Sequence, residues 1–88
     1  MEIRLSETAK KDIQYFLKTG QKSILKKIEN LLHEVRETPY EGSGRPEPLK
    51  YELSGKWSRR ITHEHRMVYS LTNNIVEINS LKGHYDKK

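Results

Sequence analysis

The chain changes its hydrophobic rhythm once, at Pro39. Before that point apolar residues recur at helical spacing, with Ala9, Ile13, Phe16 and Leu17 forming one stripe and Ile24, Ile28, Leu31, Leu32 and Val35 a second. The stretch PYEGSGRPEP, residues 39–48, then brings three prolines and two glycines, which exclude regular structure and mark a loop. Beyond it the texture is that of strands: LKYEL, KWSRRIT, RMVYSLT and IVEINSLKGHY. A chain that segregates helices from strands in this way buries its apolar faces by laying the helices on one face of a sheet.

Local signals set the boundaries. Ser6 is a suitable N-cap, Glu7 suits the positive end of a helix dipole, and Gly20 can close the helix, so the first helix is expected over residues 7–18. The second must stop before Pro39, because the proline ring pushes Thr38 out of the helical region. Asn73 and Asn74 tolerate the positive φ of a tight turn, which makes the last two strands antiparallel neighbours. With a short apolar alternation at Ile3 and Leu5, the expected order is β, α, α, β, β, β, β. This is an α+β fold, an N-terminal strand and helical hairpin packed on a twisted, mainly antiparallel sheet.

Eighty-eight residues suffice for one domain, residues 1–88, and only 33% of them are hydrophobic, so the core must be thin. There is no cysteine, which excludes a disulfide framework and thiolate chemistry. The opening MEIRLSETAKKDI carries charges throughout and holds no apolar run for a signal peptide or membrane span, so a cytoplasmic protein that makes no membrane contact is expected. The net charge is +5, of which residues 1–44 supply +1 and residues 45–88 supply +4. An anionic partner for the second half follows.

Three groups of residues there can carry chemistry. In RPEPLK, Glu47 stands between Pro46 and Pro48, which restrict its backbone and present one acid with little conformational freedom. Arg59, Arg60 and Arg66 flank the hairpin HEH. A three-residue loop, Thr62 to Glu64, sets Arg60 opposite Arg66, whereas a two-residue loop brings Arg59 and Arg66 to one face. Opposed like charges on a sheet are destabilising unless an anion or acid lies between them, so the pair suits either a bound phosphate or ion pairing with Glu52, Glu64 or Glu77.

His33 belongs to the wet side of the second helix. His63 and His65, two residues apart with no acidic third ligand on another element, do not make a zinc site. No metal or other cofactor is expected. His84 is placed at the end of a strand, and the unperturbed pKa of a histidine, about 6.5, suits a general acid or base. A glutamate, arginines and a histidine are together the inventory for cleaving RNA by its own 2′-hydroxyl. Uniform counting from the Asn73–Asn74 turn sets Arg66 against Leu81 and leaves His84 on the wrong face. A bulge or bend at Gly83 is therefore required.

The motifs EGxGxPEPLK, LSGxWSRRI, EHRxVY and the terminal HY resemble those of the YoeB/Txe toxins of the RelE superfamily, the toxin halves of bacterial type II toxin–antitoxin pairs, over nearly the whole chain. The resemblance implies a microbial-ribonuclease-like fold and a ribosome-dependent endoribonuclease that cuts messenger RNA in the A site. By position, Glu47 matches the family's general base and His84 its general acid. Arg66 matches the arginine at the scissile phosphate, Lys50 and Arg60 further RNA contacts, and Tyr85 the tyrosine that orients substrate. Arg59 is grouped with these substrate-binding cations. A carboxylate among arginines is a weakened base, so Glu47 either is desolvated or positions the 2′-hydroxyl. The partners implied are an acidic, partly disordered antitoxin of YefM/Axe type, the 70S ribosome and its A-site message. Homodimers occur in the family, although no interface is legible here.

Two other readings stand beside this one. A non-catalytic RNA-binding module needs only the basic half, but the sequence lacks a clear aromatic platform for bases. A gyrase-inhibiting toxin of the same superfamily needs no catalytic set, and a supercoiling assay separates it from a nuclease.

Overall fold

The computed structural model describes residues 1–83. The elements are β1 (Glu2–Leu5), α1 (Glu7–Lys18), α2 (Lys22–Glu37), β2 (Glu47–Pro48), β3 (Lys56–Arg60), β4 (Arg66–Thr72) and β5 (Ile75–Ser80), with a 3-10 turn at Tyr51–Leu53. They form an α+β fold whose five strands lie in the order β1-β5-β4-β3-β2. Only the β1–β5 pair is parallel; the other neighbours are antiparallel.

The helices begin and end as their local chemistry dictates. The Ser6 hydroxyl accepts the Ala9 N–H at 3.0 Å and caps α1, and Gly20 takes φ +67 just past its end. Ala9 and Phe16 from α1, with Ile28, Leu31 and Val35 from α2, pack on Met67, Tyr69, Val76 and Ile78 of the sheet and on Leu81 just beyond it. Leu17, placed on the apolar stripe by spacing, is 57% exposed and does not join the core.

Two strand expectations are corrected. LKYEL is not a strand, because after Leu49 the chain turns through Tyr51 at φ +59 into the 3-10 turn. The strand paired with β3 comes from the loop itself, where Glu47 lies opposite Ser58 and Pro48 opposite Trp57. Pro48 is tolerated there because β2 is an edge strand. The last strand also ends at Ser80, earlier than expected.

The Asn73–Asn74 turn forms as expected, at φ +49 and +67, the handedness that matches the twist of a hairpin. From it the β4–β5 register runs evenly to Tyr69 opposite Ile78 and then slips, so that Val68 opposes Ser80 and Asn79 is the extra residue. The slip is held from outside the sheet: the Ser6 hydroxyl donates to the Asn79 carbonyl at 2.8 Å. Gly83 does adopt φ +80, but the register has already changed before it, and the Arg66 N–H reaches the Gly83 carbonyl at 3.0 Å. Uniform counting to Leu81 is corrected accordingly.

Candidate active site

Side chains alternate across β3 and β4. Trp57, Ile61, Met67, Tyr69 and Leu71 face the helices, which leaves Ser58, Arg60, Arg66 and Val68 on the opposite face. On that face Arg60 and Arg66 are direct cross-strand partners. The hairpin loop is the three-residue alternative, closed by the Ile61 N–H donating to the His65 carbonyl at 3.0 Å. Among the described residues, Glu52, Glu64 and Glu77 make no ion pair with either arginine.

An open cleft of about 220 Å³ forms where the loop before β2 passes over this face, lined by Gly44, Arg45, Pro46, Glu47, Ser58, Arg60 and Arg66. It is smaller than the roughly 300–1,000 Å³ pockets that enclose drug-sized ligands, and suits a single phosphodiester group. Arg66 is half-buried and its Nη1 donates to the carbonyls of Thr62 at 2.8 Å, His63 at 3.2 Å and His65 at 3.3 Å, which holds the guanidinium plane at the cleft wall. Glu47 is exposed at the edge, directly across from Ser58. Three arginines and one carboxylate thus converge around a space that an anion fits.

Arg45 and Ser58 were not singled out by the sequence reading. Arg45 sits at φ +52, a left-handed position uncommon outside glycine, and its place in GSGRPEP beside the clamped Glu47 is the signal that could have found it. Lys50 is exposed and does not line the cleft. His84 and Tyr85 lie outside the described residues.

Arg59 is the clear correction. It was expected to touch substrate, yet it is 0% exposed and points to the helix side. Its Nε donates to the Tyr69 hydroxyl at 3.2 Å, its Nη1 to Glu34 Oε1 at 3.4 Å and the Ser43 carbonyl at 3.3 Å, and its Nη2 to the carbonyls of Glu41 at 2.8 Å and Thr38. Five acceptors meet the five N–H groups of one guanidinium. The Tyr69 hydroxyl in turn donates to the Pro39 carbonyl at 2.6 Å.

Arg59 therefore fastens the glycine-rich loop to the sheet. Hydrogen bonds from the Ser43 hydroxyl and N–H, and then the Arg59 charge, hold the Glu34 carboxyl below its usual pKa. Burial raises the Tyr69 phenol above its own. Gly44 completes the seat: its carbonyl accepts the Arg60 N–H at 2.6 Å, and a Cβ there would stand 2.9 Å from the Arg60 carbonyl oxygen.

A fold of this topology is shared by a class of small bacterial toxins, and the chain falls within that class. Residues 5–85 match the YoeB-like toxin of bacterial type II toxin-antitoxin system, and the chain belongs to that family. It is 48% identical over 85 residues to Toxin YoeB of Escherichia coli strain K12, covering 97% of this chain and 100% of that protein. A solved YoeB/ParE toxin from Agrobacterium tumefaciens superposes with a TM-score of 0.91 at 34% identity, over 97% of this chain and 100% of the other. YoeB of Staphylococcus aureus, solved in a YoeB-YefM complex and as a dimer, superposes with a TM-score of 0.84 in both at 43% and 44% identity, over 97% of this chain and 98% of that one.

Proposed function

We propose that the protein is a metal-independent endoribonuclease toxin that cuts messenger RNA in the A site of the 70S ribosome. The observation that carries the reading is the convergence of Arg45, Arg60, Arg66 and Glu47 on one cleft of phosphodiester size. In the reaction the 2′-hydroxyl loses its proton and attacks the adjacent phosphorus, the bond to the 5′-oxygen breaks, and that oxygen gains a proton. The products are a 2′,3′-cyclic phosphate and a 5′-hydroxyl.

Arg66 and Arg60 stabilise the charge that builds on the phosphorane oxygens, which preorganised cations do most effectively when water is excluded. Glu47 takes the 2′-proton or orients the 2′-hydroxyl. It is exposed in the free protein, so the desolvation that a base needs must come from the RNA that covers it. His84 is assigned the protonation of the leaving oxygen, Tyr85 the orientation of the substrate, and Lys50 a contact to RNA beyond the cleft. The site of action is the cytoplasm, and the partner that silences the toxin is an acidic YefM-like antitoxin that folds on the basic half. The dimer solved for the S. aureus relative suggests the same self-association here, measurable by light scattering.

Primer extension on messenger RNA bound to purified ribosomes, with and without the protein, tests the reading. A cut within the A-site codon that leaves a 2′,3′-cyclic phosphate and a 5′-hydroxyl is expected, because metal-activated water would leave no cyclic phosphate. Glu47→Ala should slow single-turnover cleavage by orders of magnitude, and a loss below about tenfold would remove Glu47 from the chemistry. Binding without any cutting in the unaltered protein would leave a non-catalytic RNA-binding module.

A further inference from the structure

Beyond Ser80 the chain leaves the regular ladder, yet its next three N–H groups are all captured by side chains. Those of Leu81 and Lys82 donate to one atom, Asp12 Oδ2, at 2.8 and 3.1 Å. That of Gly83 donates to His65 Nδ1 at 2.8 Å. The Gly83 carbonyl accepts the Arg66 N–H at 3.0 Å, so both polar groups of this peptide residue are held. The next residue in sequence is His84.

The two captors come from elements that are distant in sequence and braced against each other. Asp12 and Phe16 are four residues apart on α1 and share one face. The His65 ring and the fully buried Phe16 ring pack in a T-shaped arrangement, with centroids 5.1 Å apart and planes at 73°. The His65 backbone is itself fixed, its N–H donating to Thr62 Oγ1 at 3.1 Å and its carbonyl accepting from Ile61 and Thr62. Nδ1 accepts a hydrogen bond and so carries no proton; the ring is the Nε2–H tautomer.

Stability accounts for only part of this arrangement: Leu81 is buried, so its N–H needs the Asp12 carboxylate. Lys82 is exposed and Gly83 half-buried, so water could serve their N–H groups at little cost. What the side chains supply in place of water is direction, and direction matters for a group that must deliver a proton, because a misplacement of about 1 Å can cost around 100-fold in rate. Gly83, at φ +80, bends the chain, and His65 and Arg66 fix the plane of the bend.

We propose that Asp12 and His65 are positioning residues for the cleavage step, holding the backbone of residues 81–83 from which the chain continues to His84. The inference rests on the reading of His84 as the general acid. Neither residue touches substrate; each acts through the backbone of residues 81–83. The clamp also unites the site, since the hairpin tip that holds the Arg66 guanidinium is the one that holds Gly83.

The test is single-turnover cleavage of ribosome-bound messenger RNA by the full chain, with ribosome affinity, melting temperature and amide hydrogen exchange measured alongside. Asp12→Ala and His65→Gln should each slow cleavage by about 10- to 100-fold at unchanged affinity, and should lose exchange protection at residues 81–83. Asp12→Asn and His65→Asn keep an acceptor at the required place and should restore both rate and protection.

In a His84→Gln background, Asp12→Ala should produce no further loss, because a clamp that serves the acid has nothing left to serve once the acid is gone. A further loss of the same size in that background would overturn the proposal, as would slowing that merely follows the melting temperature or is not rescued by the asparagine variants. Loss of cleavage in His84→Gln with full activity in Asp12→Ala and His65→Gln would refute the clamp and leave the proposed function standing. Full activity in His84→Gln would refute both.

Discussion

Replacing Arg59 with methionine keeps the apolar stem and removes the fork that fastens the loop over the cleft. The five bonds, at about 1 kcal/mol each and more because every one involves the charged guanidinium, set a gross figure of at least about 5 kcal/mol. Part is recovered, because Thr38, Glu41 and Ser43 are exposed and their carbonyls can turn to water, while the Tyr69 hydroxyl keeps the Pro39 carbonyl. A loss of about 3–4 kcal/mol remains, in the range for breaking a buried ion pair. A domain of this size has about 4–13 kcal/mol in total, so the melting temperature should fall by at least about 12 °C. Urea titration and thermal melting followed by circular dichroism measure the loss. Arg59→Lys, which retains charge but not the fork, should fall between the two and stay foldable. A loss under about 1 kcal/mol in Arg59→Met would refute the reasoning, because it would mean that the loop is held by something other than this guanidinium.

Gly44→Ala meets both a left-handed φ of +81 and the Arg60 carbonyl, so it should destabilise by more than the 1–2 kcal/mol of the backbone conformation alone, with greater protease sensitivity in residues 39–48. Glu34 has a lowered pKa in the folded state, so its contribution is present above the unfolded value of 4.5 and is lost as pH falls through the folded value. The stability deficit of Glu34→Gln, measured by urea titration at several pH values, should therefore be full at neutral pH and shrink below pH 4.5. Asn74→Gly should keep or raise the melting temperature, since its φ of +67 suits glycine, whereas Asn74→Ala should cost about 1 kcal/mol.

Much of this molecule is written in short-range pattern. The helical stripes, the Ser6 cap, the stop before Pro39 and the Asn73–Asn74 turn each depend on neighbours within a few residues, and each appears where spacing places it. The facing of Arg60 and Arg66 was legible too, as one of two outcomes of a loop length, because a hairpin is a local object. Arg59 and Arg60 show where such reading ends. They are adjacent in WSRRI and chemically identical, yet one is sealed beneath the loop and the other lines the cleft. Strand parity separates them, and the parity is set by the register with β4. The burial of Arg59 is stable only because Glu34, Tyr69 and three loop carbonyls arrive from other parts of the chain.

The slip at Asn79 is of the same kind, since the hydroxyl that holds it belongs to Ser6, the residue that caps α1. So is the strand at Glu47–Pro48, which exists because β3 offers it an edge. By itself the sequence determined the α+β class, the helix limits, the tight turn, the basic second half and the motifs of a toxin family. Tertiary structure alone decided which arginine serves the fold and which the cleft, where the last strand shifts, and what holds the residues leading to His84. The physical reason is that periodicity and turn chemistry are properties of neighbours along the chain. A buried cation or a captured N–H needs partners that only folding brings within about 3 Å.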